Sequence, residues 1–188
     1  MNCYLLVGGR SSRMGQSKTA LFAGRVIAAA RPAFDEVIAV QRHGGEEIAQ
    51  VRTIHEDEHL DEAAVFGVAR ALRDLGGAGK CVILAVDYPR ITTDLLRFLR
   101  ERFEASRAAM LVPVWNGHPQ TLCAGYDASL LPLVEKRLAD RRYDLRGLIA
   151  EAAAEMIGER LLRERFSGEP LVNVNTPEEL EQAEALDG

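Results

Sequence analysis

Cysteine is scarce: three in 188 residues, with Cys3, Cys81 and Cys123 far apart in separate apolar stretches. That spacing excludes a disulfide framework or a metal knuckle and suits small core residues in a reducing compartment. No apolar run approaches the roughly 20 residues that span a bilayer. The N-terminus also lacks the basic region and extended apolar core of a secretory signal. An excess of basic residues is missing too: the formal charge is −5, which argues against general nucleic-acid binding. Neither an internal repeat nor a low-complexity segment is present. What remains is a globular composition, 27% charged and 47% hydrophobic, expected to form one cytoplasmic domain over residues 1–188 with a substantial core.

Strand-like and helical segments alternate. Cys3–Val7, Glu36–Val40 and Cys81–Val86 are short apolar runs of the kind buried on both faces of a sheet. Ala109–Val114 is a further strand and Leu122–Tyr126 a weaker one. Helical spacing appears in Glu62–Leu75, Asp94–Phe103, Leu130–Leu138 and Leu145–Ala154. A last helix is announced by Thr176 as cap, Pro177 in the first turn and Glu179 at capping-box spacing. The alternation predicts a three-layer α/β domain with a largely parallel sheet. Ligands of such sheets bind beyond the carboxyl ends of the strands.

The first of those strand ends carries the most informative residues. Leu5-Leu6-Val7 empties into Gly8-Gly9-Arg10-Ser11-Ser12-Arg13-Met14-Gly15-Gln16-Ser17-Lys18. Glycines let a backbone approach a ligand closely, and successive free N–H groups form an anion-binding concavity to which the cations add charge. The loop is neither a Walker A sequence nor a dinucleotide fingerprint. Asp87 closes the strand Cys81–Val86 on the same rim, where a carboxylate can ligate Mg²⁺ alongside substrate phosphates; its alternative is a turn or helix-capping role near Thr92. Asn173 and Asn175 precede the last helix and could serve a metal or phosphate, or simply form the turn into Thr176. Arg137, Arg141, Arg142 and Arg146 could meet a small anion or form a solvated helix end. His55-Glu56-Asp57-Glu58-His59 matches the zinc-hydrolase pattern His-Glu-x-x-His, but that pattern functions on a helix. Here it follows the strand-like Val51–Ile54.

Together these motifs resemble the molybdenum cofactor guanylyltransferases (MobA type), within the wider nucleotidyltransferases of Rossmann-like, nucleotide-diphospho-sugar transferase fold. The resemblance runs through Val7–Gly15 with Lys18, Pro32–Val40, Val86-Asp87-Tyr88-Pro89, Gly117–Leu122, Asp144-Leu145-Arg146 and Asn173–Leu180. It implies that Leu6, Val7, Gly8 and Gly9 cradle GTP, that Arg13 and Lys18 neutralise its triphosphate, and that Asp57, with Glu56 as the alternative, meets the nucleotide. It further implies that Asp87 contacts the nucleotide and holds Mg²⁺, and that Asn173 and Asn175 place the molybdopterin phosphate or the metal. The implied reaction transfers GMP to molybdopterin and releases pyrophosphate, with transient contact to molybdopterin-handling proteins and no nucleic-acid or membrane partner. Departures from the family pattern include Ser17 before the loop lysine, a shortened segment after Leu21, Val40 in place of an asparagine, and Ala63-Ala64-Val65-Phe66-Gly67 in place of Gly-Pro-Leu-Ala-Gly. They bear on base and sugar recognition, so transfer from another nucleotide such as CTP, or a non-catalytic binding relative, are the alternatives.

Overall fold

A computed structural model of the chain describes residues 1–7, 18–45, 48–49, 51–57, 61–174 and 179, with the side chains of 18–21 excepted. Its centre is a mixed sheet in the order β3-β2-β1-β4-β7-β5-β6, with β8 paired to β5. These strands are β1 (Asn2–Leu6), β2 (Val37–Gln41), β3 (Arg52–His55), β4 (Lys80–Ala85), β5 (Met110–Trp115), β6 (His118–Pro119), β7 (Cys123–Asp127) and β8 (Glu155–Ile157). β3, β2, β1 and β4 run parallel. β7 is antiparallel to both β4 and β5, and β8 is parallel to β5.

Successive residues of β1 point to opposite faces, and each face has its own core. Cys3, Leu5 and Val7 pack with residues of α1 (Lys18–Ala30), α3 (Thr93–Ala105) and α6 (Glu159–Arg165). Tyr4 and Leu6 pack with residues of α2 (Ala64–Asp74), α4 (Leu131–Ala139) and α5 (Leu145–Glu151). Every residue of β2 is buried, as a strand covered on both faces requires. The result is the expected three-layer α/β domain.

Local chemistry sets the helix boundaries. Thr92 caps α3 by accepting from the Leu95 N–H at 3.3 Å, and Asp94 lies in the first turn, where a negative charge complements the helix dipole. The buried stripe of α3 is Leu95, Leu96, Leu99 and Phe103. Asp144 caps α5 by accepting from the Gly147 N–H at 2.5 Å. The β5–β6 hairpin turns on Asn116 and Gly117, at φ 50° and 71°, the left-handed pair that a two-residue hairpin loop demands.

Three features depart from the sequence expectations. α1 is a 13-residue helix in a stretch not counted among the helical segments above. α5 ends at Glu151 rather than Ala154, because Ala153 turns the chain back at φ 47° into β8. The weaker strand β7 lies in the middle of the sheet and is buried through Tyr126. Among the described residues no helix is long and apolar enough to cross a membrane. The predicted last helix falls largely outside the described residues.

Candidate active site

β1 is flanked by β2 on one side and β4 on the other, so the chain reverses its direction of travel across the sheet between β1 and β4. A crevice opens at the carboxyl ends of strands at such a switch point. Leu6 and Ala85 are register partners at those ends, and Val7 continues the β1–β2 pairing by donating to the Val40 carbonyl at 2.9 Å. Gly8, Gly9 and Arg13 follow but lie outside the described residues. Lys18 is the first residue of α1, so this 13-residue helix begins where the loop ends. Its N-terminal N–H groups and dipole favour an anion there.

Asp87 stands two residues beyond β4, half-buried. It does not cap α3, since Thr92 has that role. Its carbonyl accepts from the Val174 N–H at 2.9 Å, and its Oδ2 accepts from Asn173 Nδ2 at 2.8 Å. Its Oδ1 is buried. Asp87 and Asn173, 86 positions apart in sequence, thus meet at the switch point; Asn175 lies outside the described residues. One strand-end carboxylate suits Mg²⁺, which takes one or two carboxylates and completes its shell with phosphate oxygens and water. Among the described residues no group of three or more His, Cys, Asp and Glu is arranged to hold a metal by itself.

The turn between β6 and β7 bonds to residues on either side of Asp87 in the chain. The Leu122 carbonyl accepts from the Ala85 N–H at 2.8 Å. Beside Asp87, the Tyr88 hydroxyl donates to Gln120 Oε1 at 3.0 Å. Tyr88 is 4% exposed, and burial raises its phenol well above the ordinary range. It is therefore a neutral hydrogen-bond donor at any physiological pH.

The two acids after β3 have different surroundings. Asp57 is exposed and ion-paired to Arg73 of α2. Glu56 lies near Gly67 and the Leu6 side chain: a methyl group placed on Gly67 would stand 3.0 Å from Glu56 Oε1 and 3.0 Å from Leu6 Cδ2. The carboxylate beside the end of β1 therefore belongs to Glu56. Gly67, near the start of α2, lets that close approach occur.

Other candidates resolve as structural. His55 is the last residue of β3, not part of a helix, and its ring stacks on His43 at 4.7 Å. Since the His-Glu-x-x-His pattern needs a helix to bring its histidines together, the zinc reading fails; His59 lies outside the described residues. Arg137 is fully buried and binds Glu151 Oε1 at 2.6 Å and Asp144 Oδ2 at 2.8 Å, while Arg142 also pairs with Glu151. These arginines tie α4 to α5. All three cysteines are free and buried, and burial pushes the Cys123 thiol up to about 12, so thiolate chemistry plays no part here.

Sequence and structure comparisons agree with this geometry. The family described as MobA-like NTP transferase domain matches residues 3–156. A protein of Carboxydothermus hydrogenoformans named probable molybdenum cofactor guanylyltransferase is 30% identical, over 95% of this chain and 92% of its own. A protein of the same name from Thermococcus kodakarensis is 28% identical over 97% and 93%. The crystal structure of molybdopterin-guanine dinucleotide biosynthesis protein A from Archaeoglobus fulgidus superposes with a TM-score of 0.82 at 24% identity, covering 100% of this chain and 98% of that one. The 2-C-methyl-D-erythritol 4-phosphate cytidylyltransferase of Thermus thermophilus shares the fold at a TM-score of 0.65 and 18% identity, over 98% and 97%. With Asp87 and Asn173 meeting at the switch point of this sheet, and a family match over most of its length, the chain belongs to the MobA-like NTP transferases and is a nucleotidyltransferase.

Proposed function

We propose that the protein transfers GMP from GTP to the terminal phosphate of molybdopterin in an Mg²⁺-dependent reaction that releases pyrophosphate, as a cytoplasmic step of molybdenum cofactor synthesis. The observation that carries this reading is the contact of Asn173 with Asp87 beside the end of β1. It draws the C-terminal segment of the chain onto the acid that follows β4, beside the end of β1, which supports donor and acceptor sides sharing one rim.

In this reading Leu6 to Gly9 approach the nucleotide through backbone, and Glu56 rather than Asp57 supplies the carboxylate beside it. Arg13, Lys18 and the N-terminus of α1 offset the triphosphate charge. Asp87 and the phosphates would hold the Mg²⁺, which offsets charge on the departing pyrophosphate. Asn173 and Asn175 orient the incoming phosphate. One P–O bond forms at the α-phosphorus as the bond to the β-phosphate oxygen breaks. No side chain need act as a nucleophile, because positioning and charge neutralisation carry most of the rate in phosphoryl-type transfer.

The test is incubation with each of the four NTPs, Mg²⁺ and molybdopterin, following pyrophosphate release. Release with GTP is expected, abolished in Asp87→Ala and sharply reduced in Lys18→Ala. Release only with CTP would reassign the nucleotide, and GTP binding without turnover would make the protein a carrier.

A further inference from the structure

The chain contains one tryptophan, and its hydrogen bond leads back to the site. Trp115 ends β5 at 1% exposure. Its indole Nε1–H donates to Glu169 Oε2 at 2.9 Å. Arg163 of α6 lies over the indole at 4.2 Å and donates to the other oxygen of Glu169 at 3.0 Å. The same guanidinium reaches Asn116 Oδ1 and Glu159 Oε1, each at 2.7 Å. Both oxygens of Glu169 are thereby engaged by groups fixed to β5 and α6.

Glu169 opens the segment that delivers Asn173. The Val172 N–H donates to the Glu169 carbonyl at 3.2 Å, which makes a turn, and Leu171 and Val174 are buried at 2% and 1% exposure. Asn173 is left exposed between them, with its amide on Asp87. A side-chain amide–carboxylate bond in contact with water is a weak restraint, so the placement of Asn173 depends on how its segment is anchored: at one end by the Val174 N–H on the Asp87 carbonyl at 2.9 Å, at the other by Glu169. From the other direction, Gln120 Nε2 donates to the Trp115 carbonyl at 3.2 Å and the His118 carbonyl at 2.9 Å, while its Oε1 accepts from Tyr88. Asp87, Tyr88, Gln120, Trp115, Glu169 and Asn173 therefore form a closed circuit of covalent and hydrogen-bonded links.

We propose that Glu169, held by Trp115 and Arg163, is a positioning residue that sets Asn173 against Asp87 and so fixes the acceptor side of the site. This rests on the reading of Asp87 and Asn173 as site residues. Glu169 touches neither substrate nor metal; it acts through the segment it anchors.

The experiment measures kcat and KM separately for molybdopterin and for GTP, with the thermal midpoint of every variant. Trp115→Phe removes the indole donor and keeps an aromatic ring under Arg163; Glu169→Ala removes the anchor; Glu169→Gln keeps an acceptor for the indole. Trp115→Phe and Glu169→Ala are expected to lower kcat/KM for molybdopterin by about ten- to a hundredfold, the cost of a small misplacement. The KM for GTP should stay near wild type, and Glu169→Gln should retain most of the activity. The thermal midpoint should fall modestly, as expected on shrinking or unpairing a buried indole, with every variant still folded at the assay temperature. Because Glu169 acts through Asn173, Glu169→Ala combined with Asn173→Ala should be no worse than Asn173→Ala alone. If Asn173→Ala impairs the reaction and Glu169→Ala does not, the positioning role is overturned and the site reading stands. If Asn173→Ala itself has no effect, the site reading fails first. An equal loss in GTP and molybdopterin parameters, or a collapse in thermal midpoint that accounts for the lost activity, also overturns the proposal.

Discussion

At the end of β3, Glu56 and Asp57 leave the sheet toward different environments, as consecutive residues of an extended chain do. Glu56 lies near Gly67 and the Leu6 side chain, and Asp57 pairs with Arg73 on the surface. Replacing Asp57 by Asn removes one exposed ion pair, of the kind worth about 0–1 kcal/mol; activity and thermal midpoint should barely change. Glu56→Gln should instead raise the KM for the nucleotide with little effect on stability. Steady-state kinetics of the two variants side by side decide which carboxylate serves the site. Wild-type nucleotide KM in Glu56→Gln, with a raised KM in Asp57→Asn, would return the role to Asp57. The family resemblance favours Asp57 by residue type, but residue type and spacing do not show which of two adjacent acids turns inward.

Between elements, two contacts control packing. Gly125 of β7 faces the fully buried Phe103 of α3, and a methyl group there would stand only 2.5 Å from the ring. Gly125→Ala is expected to cost about 1–3 kcal/mol through overpacking, measured by denaturant unfolding; Phe103→Leu in the same chain should recover part of the loss. Arg137 is the second contact. Its guanidinium, 0% exposed, joins α4 to Glu151 and to the Asp144 cap of α5. Arg137→Ala removes both ion pairs and opens a cavity, although Glu151 keeps Arg142 as a partner, and should cost about 1–3 kcal/mol. Glu151 and Asp144 retain 30% and 64% exposure, so water offsets part of that penalty. The arginine-rich composition of residues 137–146 is equally consistent with an anion site. Only the packing of α5 onto α4 turns Arg137 into an internal strut.

For the whole molecule, the clearest pH dependence comes from the end of the sheet opposite the site. Asp74, at the end of α2, is held below its ordinary pKa chiefly by hydrogen bonds from Arg52, with a further bond from Tyr4. In acid the unfolded chain takes up this proton before the folded protein does. The stabilisation from Asp74 is therefore complete above the ordinary aspartate range and is lost as pH falls through that range and below it. Thermal midpoints measured from neutral pH into acid should fall, and Asp74→Asn should flatten that fall while lowering stability at neutral pH. An unchanged acid limb in Asp74→Asn would exclude this group as a source. Activity at neutral pH should be unaffected wherever the variant remains folded.

The sequence by itself determined the architecture around the site. Cys3–Val7 and Cys81–Val86 are apolar on both faces, which only a covered central strand can satisfy, and the glycine and cation pattern after Val7 marks a phosphate loop beside it. Local periodicity could not reveal the central place of β7, because antiparallel insertion depends on which edges remain free once β4 and β5 are laid down. Nor could it show α5 stopping at Glu151, where the register of β8 takes over the chain. The contact of Asn173 with Asp87, the different surroundings of Glu56 and Asp57, and the link from Trp115 to Glu169 were decided by tertiary structure alone. Each joins groups whose proximity is a property of how the layers pack, and no local preference of the chain encodes it.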